Sequence, residues 1–216
     1  MEMTATVASS AGTLRMRGSG DFQNDPVLGQ FTATVVSGAR QGSMQEVMSG
    51  SRIYLSSDAI AGSLPGGKTW MSLDLSKAFD KLGIDLGSFA AQSPTDALAR
   101  LKASGEVTED GVATIDGVAT THYIATIDPA KAADLSKKLH VTVTYQPVEV
   151  WVDEQGLVRR VQMTFAQSSA TAPAVSTQMT IDLTSYGEAV HVDVPGDDVT
   201  FDATTLATNA IQSAGP

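Results

Sequence analysis

The amino-acid sequence predicts an α+β protein, an antiparallel sheet with a few helices grouped in the middle of the chain. Three observations carry this. Apolar and polar residues alternate with period two through the first third of the chain and through most of the last third. The period lengthens to that of a helix in two stretches between residues 75 and 105 and in a third after residue 128. Short turn signals, Gly50 and two Asp-Gly pairs among them, punctuate the alternating runs.

The first strands read directly. "MEMTATVA" places Met3, Ala5 and Val7 on one face and Thr4 and Thr6 on the other. "TLRMRGSGDF" groups Leu14 and Met16 opposite Arg15 and Arg17, and "QFTATVVS" groups Phe31, Ala33 and Val35. "SMQEVMS" and "SRIYLSS" follow on either side of Gly50. This is a meander of half-buried antiparallel strands with solvated outer faces. After a turn and the short strand "TWMSLDL", Ser76 caps a short helix that stops near Gly83, with Leu75, Phe79 and Leu82 on one side. "SPTDALARLKASG" predicts a fuller helix, with Ser93 as N-cap, Pro94 at N1, Asp96 at N3 and Gly105 as the stop.

Asp116-Gly117 suits a tight type I′ hairpin turn, because glycine tolerates positive φ, and Asp110-Gly111 then reads as a bulge. "DPAKAADLSKKL" is a third helix, capped by Asp128 with Pro129 at N1, and Lys137 and Lys138 complement its dipole. "PVEVWVDEQGLVRRVQMTF" is a hairpin. A four-residue "DEQG" loop would set Val152 opposite Leu157, Glu149 opposite Arg160 and Val148 opposite Val161, leaving Arg159 on the apolar face. "AVSTQMTIDLTSY" and "AVHVDVP" are the remaining strands, and the tail after Phe201 is a weak helix. No linker divides the chain, so residues 1–216 are expected to form a single domain.

Charge and composition exclude several functions. The chain has 216 residues and a net charge of −10, from 24 acidic against 14 basic residues, which opposes nucleic-acid binding. It has no cysteine, so disulfides, thiolate metal sites and thiol catalysis are absent. No run of about 18 apolar residues marks a membrane span, and no signal peptide opens the sequence.

Reactive constellations are missing too. His122, His140 and His191 are not at metal-ligand spacing, and His122 reads as a structural or surface residue. No G-x-S-x-G elbow occurs, and the "GSG" at Gly18–Gly20 lies within the meander. "GSLPGGKT", Gly62 to Thr69, matches the phosphate-loop pattern. A strand rather than a helix follows it, so it reads as a plain turn. The acidic turn "DVPGDD", Asp193 to Asp198, lacks the spaced oxygen ligands of a calcium loop. No cofactor or metal is expected. What remains are apolar stripes, which ordinarily form a core and can also wall a cavity for an apolar ligand.

Several segments carry a resemblance. "LPGGKTWMSLDLSKAFDKLGIDL", "LKASGEVTEDGVATIDGVATTHYIATIDPAKAA", "PVEVWVDEQGLVRRVQMTF" and "MTIDLTSYGEAVHVDVPGDDV" together resemble the LppX/LprAFG family of actinobacterial cell-envelope lipoproteins, from about Gly29 to Val199. The resemblance implies a LolA/LolB-like fold: a strongly curved antiparallel half-barrel with a few helices packed on its concave face. It implies an extracytoplasmic protein, held to the plasma membrane by a lipidated N-terminal cysteine that this chain lacks, and non-catalytic binding of acylated lipids or glycolipids between sheet and helices. The family's helix before the first strand is missing, which would leave an edge strand uncovered near the N-terminus. The implied cavity is lined by Leu14, Met16, Phe31, Val35, Met48, Val150, Val152, Val161, Met163, Met179 and Ile181 from the sheet. Phe79, Leu82, Phe89, Leu98 and Leu101 come from the helices, with Gly83, Gly87 and "AAQSP" as hinges. The alternative is an interaction module of the same fold, filled by its own side chains, that binds another envelope protein.

Overall fold

The structure is a computed structural model and describes residues 1–80, 105–130, 133, 136–137, 142–168 and 173–213. In chain order the strands are β1 (Glu2–Ser9), β2 (Gly12–Asn24), β3 (Val27–Ser37), β4 (Arg40–Ser49), β5 (Arg52–Ser57) and β6 (Trp70–Asp74). Helix α1 (Leu75–Asp80) follows. Then come β7 (Gly105–Ile115), β8 (Val118–Ile127), β9 (Thr142–Tyr145), β10 (Val148–Asp153), β11 (Val158–Ser168), β12 (Val175–Asp182), β13 (Thr200–Asp202) and helix α2 (Thr204–Ser213). The hydrogen-bonded order is β13-β6-β5-β4-β3-β2-β1-β12-β11-β10-β8-β7, with β9 on β11, and it does not return on itself. The fold class is thus the expected α+β, dominated by one unclosed sheet. The chain forms two compact units, Met1–Arg17 with Ala91–Gly187 and Gly18–Ala90 with Glu188–Pro216.

In the first unit, β1 pairs along its whole length with β12. The N-terminal strand is therefore not the uncovered edge expected above; the strand order ends at β7 and β13 instead. The turn chemistry acts as predicted. Asp116 (φ 48°) and Gly117 (φ 82°) close β7 onto β8 with Ile115 opposite Val118. Gly111 (φ 103°) sits in the bulge between Glu109 and Val112. Asp128 accepts the backbone N–H of Ala130 at 2.8 Å, and Pro129, Ala130, Ala133, Ser136 and Lys137 are helical.

The β10–β11 hairpin departs from its predicted register. Val152 faces Val158, but Trp151 faces Arg160 and Glu149 faces Gln162, so Arg159 is an extra, bulged residue. The bulge removes the conflict that the simpler register left on the apolar face. Arg159 Nε instead donates to Asp153 Oδ2 at 2.7 Å, and the guanidinium stands 5.5 Å from the Tyr186 ring centroid. Asp153 Oδ1 also accepts the N–H groups of Gln155 and Leu157, both at 2.9 Å, so one buried carboxylate holds the turn and the bulge. Burial alone would push the Asp153 carboxyl up; those donors and the nearby charge bring it below the usual carboxylate range. The Tyr186 hydroxyl donates to the carbonyl of Val158.

The second unit is organised round Asp74. Its Oδ1 accepts from Ser76 Oγ at 2.7 Å, from the Lys77 N–H at 3.3 Å and from Ser51 Oγ at 3.2 Å. Asp74, not Ser76, is therefore the cap of α1, and Ser76 lies within the helix. Thr204 Oγ1 of α2 accepts the Asp74 N–H at 2.9 Å, and Arg52 Nη2 lies 3.8 Å from Asp74 Oδ2. The segment "AVHVDVP" is not a strand; the last strand is Thr200–Asp202, parallel to β6. The helix after it is the one expected of the tail, and the Asp202 carboxylate accepts the N–H of Thr204 at 2.9 Å. The stops and caps predicted at Gly83, Ser93, Pro94 and Asp96 lie outside the described residues. The "GSG" glycines answer a steric need. A Cβ at Gly18 would lie 2.2 Å from the Thr32 carbonyl oxygen, and one at Gly20 would lie 2.1 Å from that of Gln30.

Burial would raise the Asp74 pKa, but the hydrogen bonds from Ser76, Lys77 and Ser51 outweigh it and hold it at about 2. A depressed carboxyl stabilises the fold above the unfolded pKa, and that stability disappears as pH falls through the folded value. Urea unfolding should therefore show about 2 kcal/mol lost between roughly pH 4 and pH 2. Asp74→Asn should lose a similar amount at pH 7 and flatten that acid limb.

Candidate functional site

Directly opposed residues in a ladder share a face, so register shows which predicted residues meet. In the first unit one row runs Val150–Val161–Ile181–Met3 across β10, β11, β12 and β1. The next is Met163–Met179–Ala5, and the third is Tyr145–Phe165–Thr177–Val7, begun by β9. Five of the predicted wall residues, Val150, Val161, Met163, Met179 and Ile181, thus fall on one continuous face. Leu14 and Met16 are half-buried on β2, alternating with exposed Arg15 and Arg17. Burial is graded across this face. Val150 (1% exposed), Val152 and Val158 form a closed cluster with Tyr123, Val148, Val161 and Leu183 against it. Met3, Val7, Met163, Phe165, Met179 and Ile181 are only half-buried.

The second unit carries its own face. Gly29–Met48–Ile53–Leu73 and Phe31–Glu46–Leu55–Met71 are its two full rows across β3, β4, β5 and β6, and Ala33 faces Met44 beside them. Phe31 and Ala33 are buried; Met44, Met48, Ile53, Leu55, Met71 and Leu73 are half-buried. Val35 lies on this face too, opposite Gly42, and is half-buried. The side chain of Phe79 and all of Leu82, Phe89, Leu98 and Leu101 lie outside the described residues, as do the proposed hinges.

Glu46 also lies on this face, opposite Phe31 and Leu55. Its signal was in the sequence: "SMQEVMS" places Glu46 between Met44 and Met48 in the apolar alternation. Burial pushes its carboxyl above the usual range.

The opposite side of the first unit is polar and aromatic. The rings of His122 and Trp151, cross-strand neighbours, stack at 4.3 Å with 8° between planes. His122 Nδ1 lies 3.3 Å from Asp110 Oδ2 and Nε2 lies 3.0 Å from Glu149 Oε2, and among the described residues Nε2 makes no hydrogen bond. Arg160, opposite Trp151, pairs with Asp182 at 2.5 Å. His122 therefore has a structural setting. Among the described residues, no three His, Cys, Asp or Glu side chains converge as a metal site.

Two sequence motifs resolve together in the second unit. Pro65–Gly67 of the phosphate-loop match is a single 3-10 turn ahead of β6. Its lysine, Lys68, donates from Nζ to the carbonyl oxygens of Asp197 and Asp198 at 2.9 and 2.6 Å. The acidic turn is thus held by an ammonium from the same chain.

No family model matches the chain, and no curated protein matches it. Among solved structures it is similar to the lipoprotein LppX of Mycobacterium tuberculosis, at 15% identity over 89% of each chain with a TM-score of 0.45. It is similar to LprF from Mycobacterium bovis, at 14% identity over 90% of this chain and 89% of that one, with a TM-score of 0.41. A chain of the Pseudomonas aeruginosa MucA/MucB complex matches at 12% identity with a TM-score of 0.35, over 87% of this chain and 53% of that one. LppX and LprF, which carry the names of the family noted in the sequence, are among the structures that the chain is similar to. Among the described residues, no helix is long and apolar enough to cross a membrane.

The graded burial separates core from face by mutation. Val150→Ala should lower the unfolding free energy by about 2 kcal/mol, the scale of a buried truncation with its cavity. Met163→Ala should cost clearly less, both read from urea midpoints.

Proposed function

We propose that the chain is a non-catalytic lipid-binding domain, spanning residues 1–216, that holds acyl chains of lipids or glycolipids against its apolar faces. The observation that carries this reading is the set of half-buried, large, flexible side chains in continuous rows: Met163, Met179, Ile181 and Phe165 in one unit, Met44, Met48, Ile53 and Leu55 in the other. Methionine adapts its shape to an irregular apolar partner. Each methylene moved from water to such a wall gains about 0.8 kcal/mol, so an acyl chain can be held without directional contacts. In this reading Leu14, Met16, Phe31, Val35 and Val161 complete the wall, with Phe79, Leu82, Phe89, Leu98 and Leu101 as the sequence expects them to line it. Val150 and Val152 back it from the core. The native protein works outside the cytoplasm, anchored to the plasma membrane by a lipid, and passes its ligand through the cell envelope.

A second reading is an interaction module that binds another envelope protein through its surface. The closed Val150–Val152–Val158 cluster favours it locally, since that part of the interior is filled by the protein's own side chains.

One experiment separates the two. The chain purified under native conditions should show acyl lipid by native mass spectrometry, and the delipidated protein should take up a fluorescent fatty acid. The double change Met163→Gln with Met179→Gln should weaken that uptake about tenfold while the protein stays folded. A clean apo mass together with no uptake would overturn the lipid reading in favour of the interaction module.

A further inference from the structure

We infer that Glu46 sets the ligand class of the second unit's face: it favours an uncharged acyl lipid whose head carries a hydroxyl, and it rejects a free fatty acid. This rests on the lipid-binding reading and adds specificity to it.

The placement is the argument. Glu46 lies in the row Phe31–Glu46–Leu55–Met71, with Met44 and Met48 on either side of it along β4. It is half-buried, and among the described residues no hydrogen bond or ion pair satisfies it. Among the described residues, the other charged groups at this face of β3 to β6 are Asp58, whose carboxylate lies over Gly42 four residues along β4, about 13 Å at strand rise, and Arg40, opposite Ser37. Arg40 is six residues along β4, about 20 Å at strand rise, well past the screening length of about 8 Å at physiological salt. Burial pushes the Glu46 carboxyl up, the response of a charge that lacks a partner.

A bare hydrocarbon on this wall would leave that carboxyl dry and unpaired, a costly state. A lipid hydroxyl beside it donates a charge-assisted hydrogen bond without giving up a full charge of its own. A fatty acid brings a second carboxylate into weakly screened surroundings, and one of the two must take up a proton or leave. The same residue therefore recognises one head group and repels the other.

The test uses the full chain and two ligands of equal chain length, a monoacylglycerol and a fatty acid, titrated at pH 7.5 below their aggregation limits. The wild-type protein should prefer the monoacylglycerol by tenfold or more, which is about 1.4 kcal/mol. Glu46→Gln keeps the side chain's size and removes its charge. It should bring the preference below threefold, chiefly by strengthening fatty-acid binding. Arg40→Gln, on the same face, should leave the preference unchanged. A wild-type protein that binds both ligands equally, or prefers the fatty acid, overturns the inference whether or not the variant folds. A folded Glu46→Gln protein with the wild-type preference also overturns it, while leaving lipid binding in place. No uptake of either ligand by any of the proteins removes the lipid-binding reading itself, and the inference with it.

Discussion

Strand register is the constraint on which the rest of this protein depends. Side chains alternate between faces with a period of two, so a slip of one residue would move every apolar group of a strand to the opposite side. The rows Val150–Val161–Ile181–Met3 and Phe31–Glu46–Leu55–Met71 exist only because successive ladders agree in phase. Three of the strand pairs carry a device that fixes their phase. Positive φ at Asp116 and Gly117 fixes β7 against β8. The bulged Arg159, tied to the Asp153 carboxylate, fixes β10 against β11. Gly18 and Gly20 admit the close approach of β3 to β2.

The two units keep these faces in different ways. In the first, a closed valine cluster grades into half-buried methionines, so one sheet face serves both as core and as a softer surface. In the second, the edge of the strand series is gathered by a polar hub. Asp74 joins β6 to β5 through Arg52 and Ser51, caps α1, and meets α2 through Thr204. A buried carboxylate with this many donors is stable only as a set, because removing a donor leaves the charge with fewer partners.

Much of this was legible in the sequence because strand patterning is local. The alternations of Met3-Ala5-Val7 and Phe31-Ala33-Val35 assign their faces without any long-range knowledge, and both Asp-Gly pairs take the geometry their chemistry asks for. What was not legible depended on how several side chains, near and far in the chain, converge on one carboxylate or one edge. A four-residue loop suits "DEQG", but the local sequence does not show that Asp153 and the distant Tyr186 together draw Arg159 into a bulge. Ser76 looked like a cap because it precedes an apolar period, and the neighbouring Asp74 took that place because its second oxygen also faces Arg52 and Lys77. "AVHVDVP" alternates like a strand but stays unpaired, and the β6 edge is taken by Thr200–Asp202. Alternation states a preference for one face; it does not supply a neighbour. A lone acid among methionines, Glu46 gains a place on the apolar face only once the adjoining strands are in register.

The chain has only two tryptophans, and they are divided between the units, Trp70 in one and Trp151 in the other. Trp151 is buried against the His122 ring, whereas Trp70 is half-buried at the start of β6. Each unit thus carries its own optical probe in a distinct environment. Removing either indole leaves the other to report alone, so whether the two units melt together or in sequence can be read from the emission of the native side chains, with no dye attached.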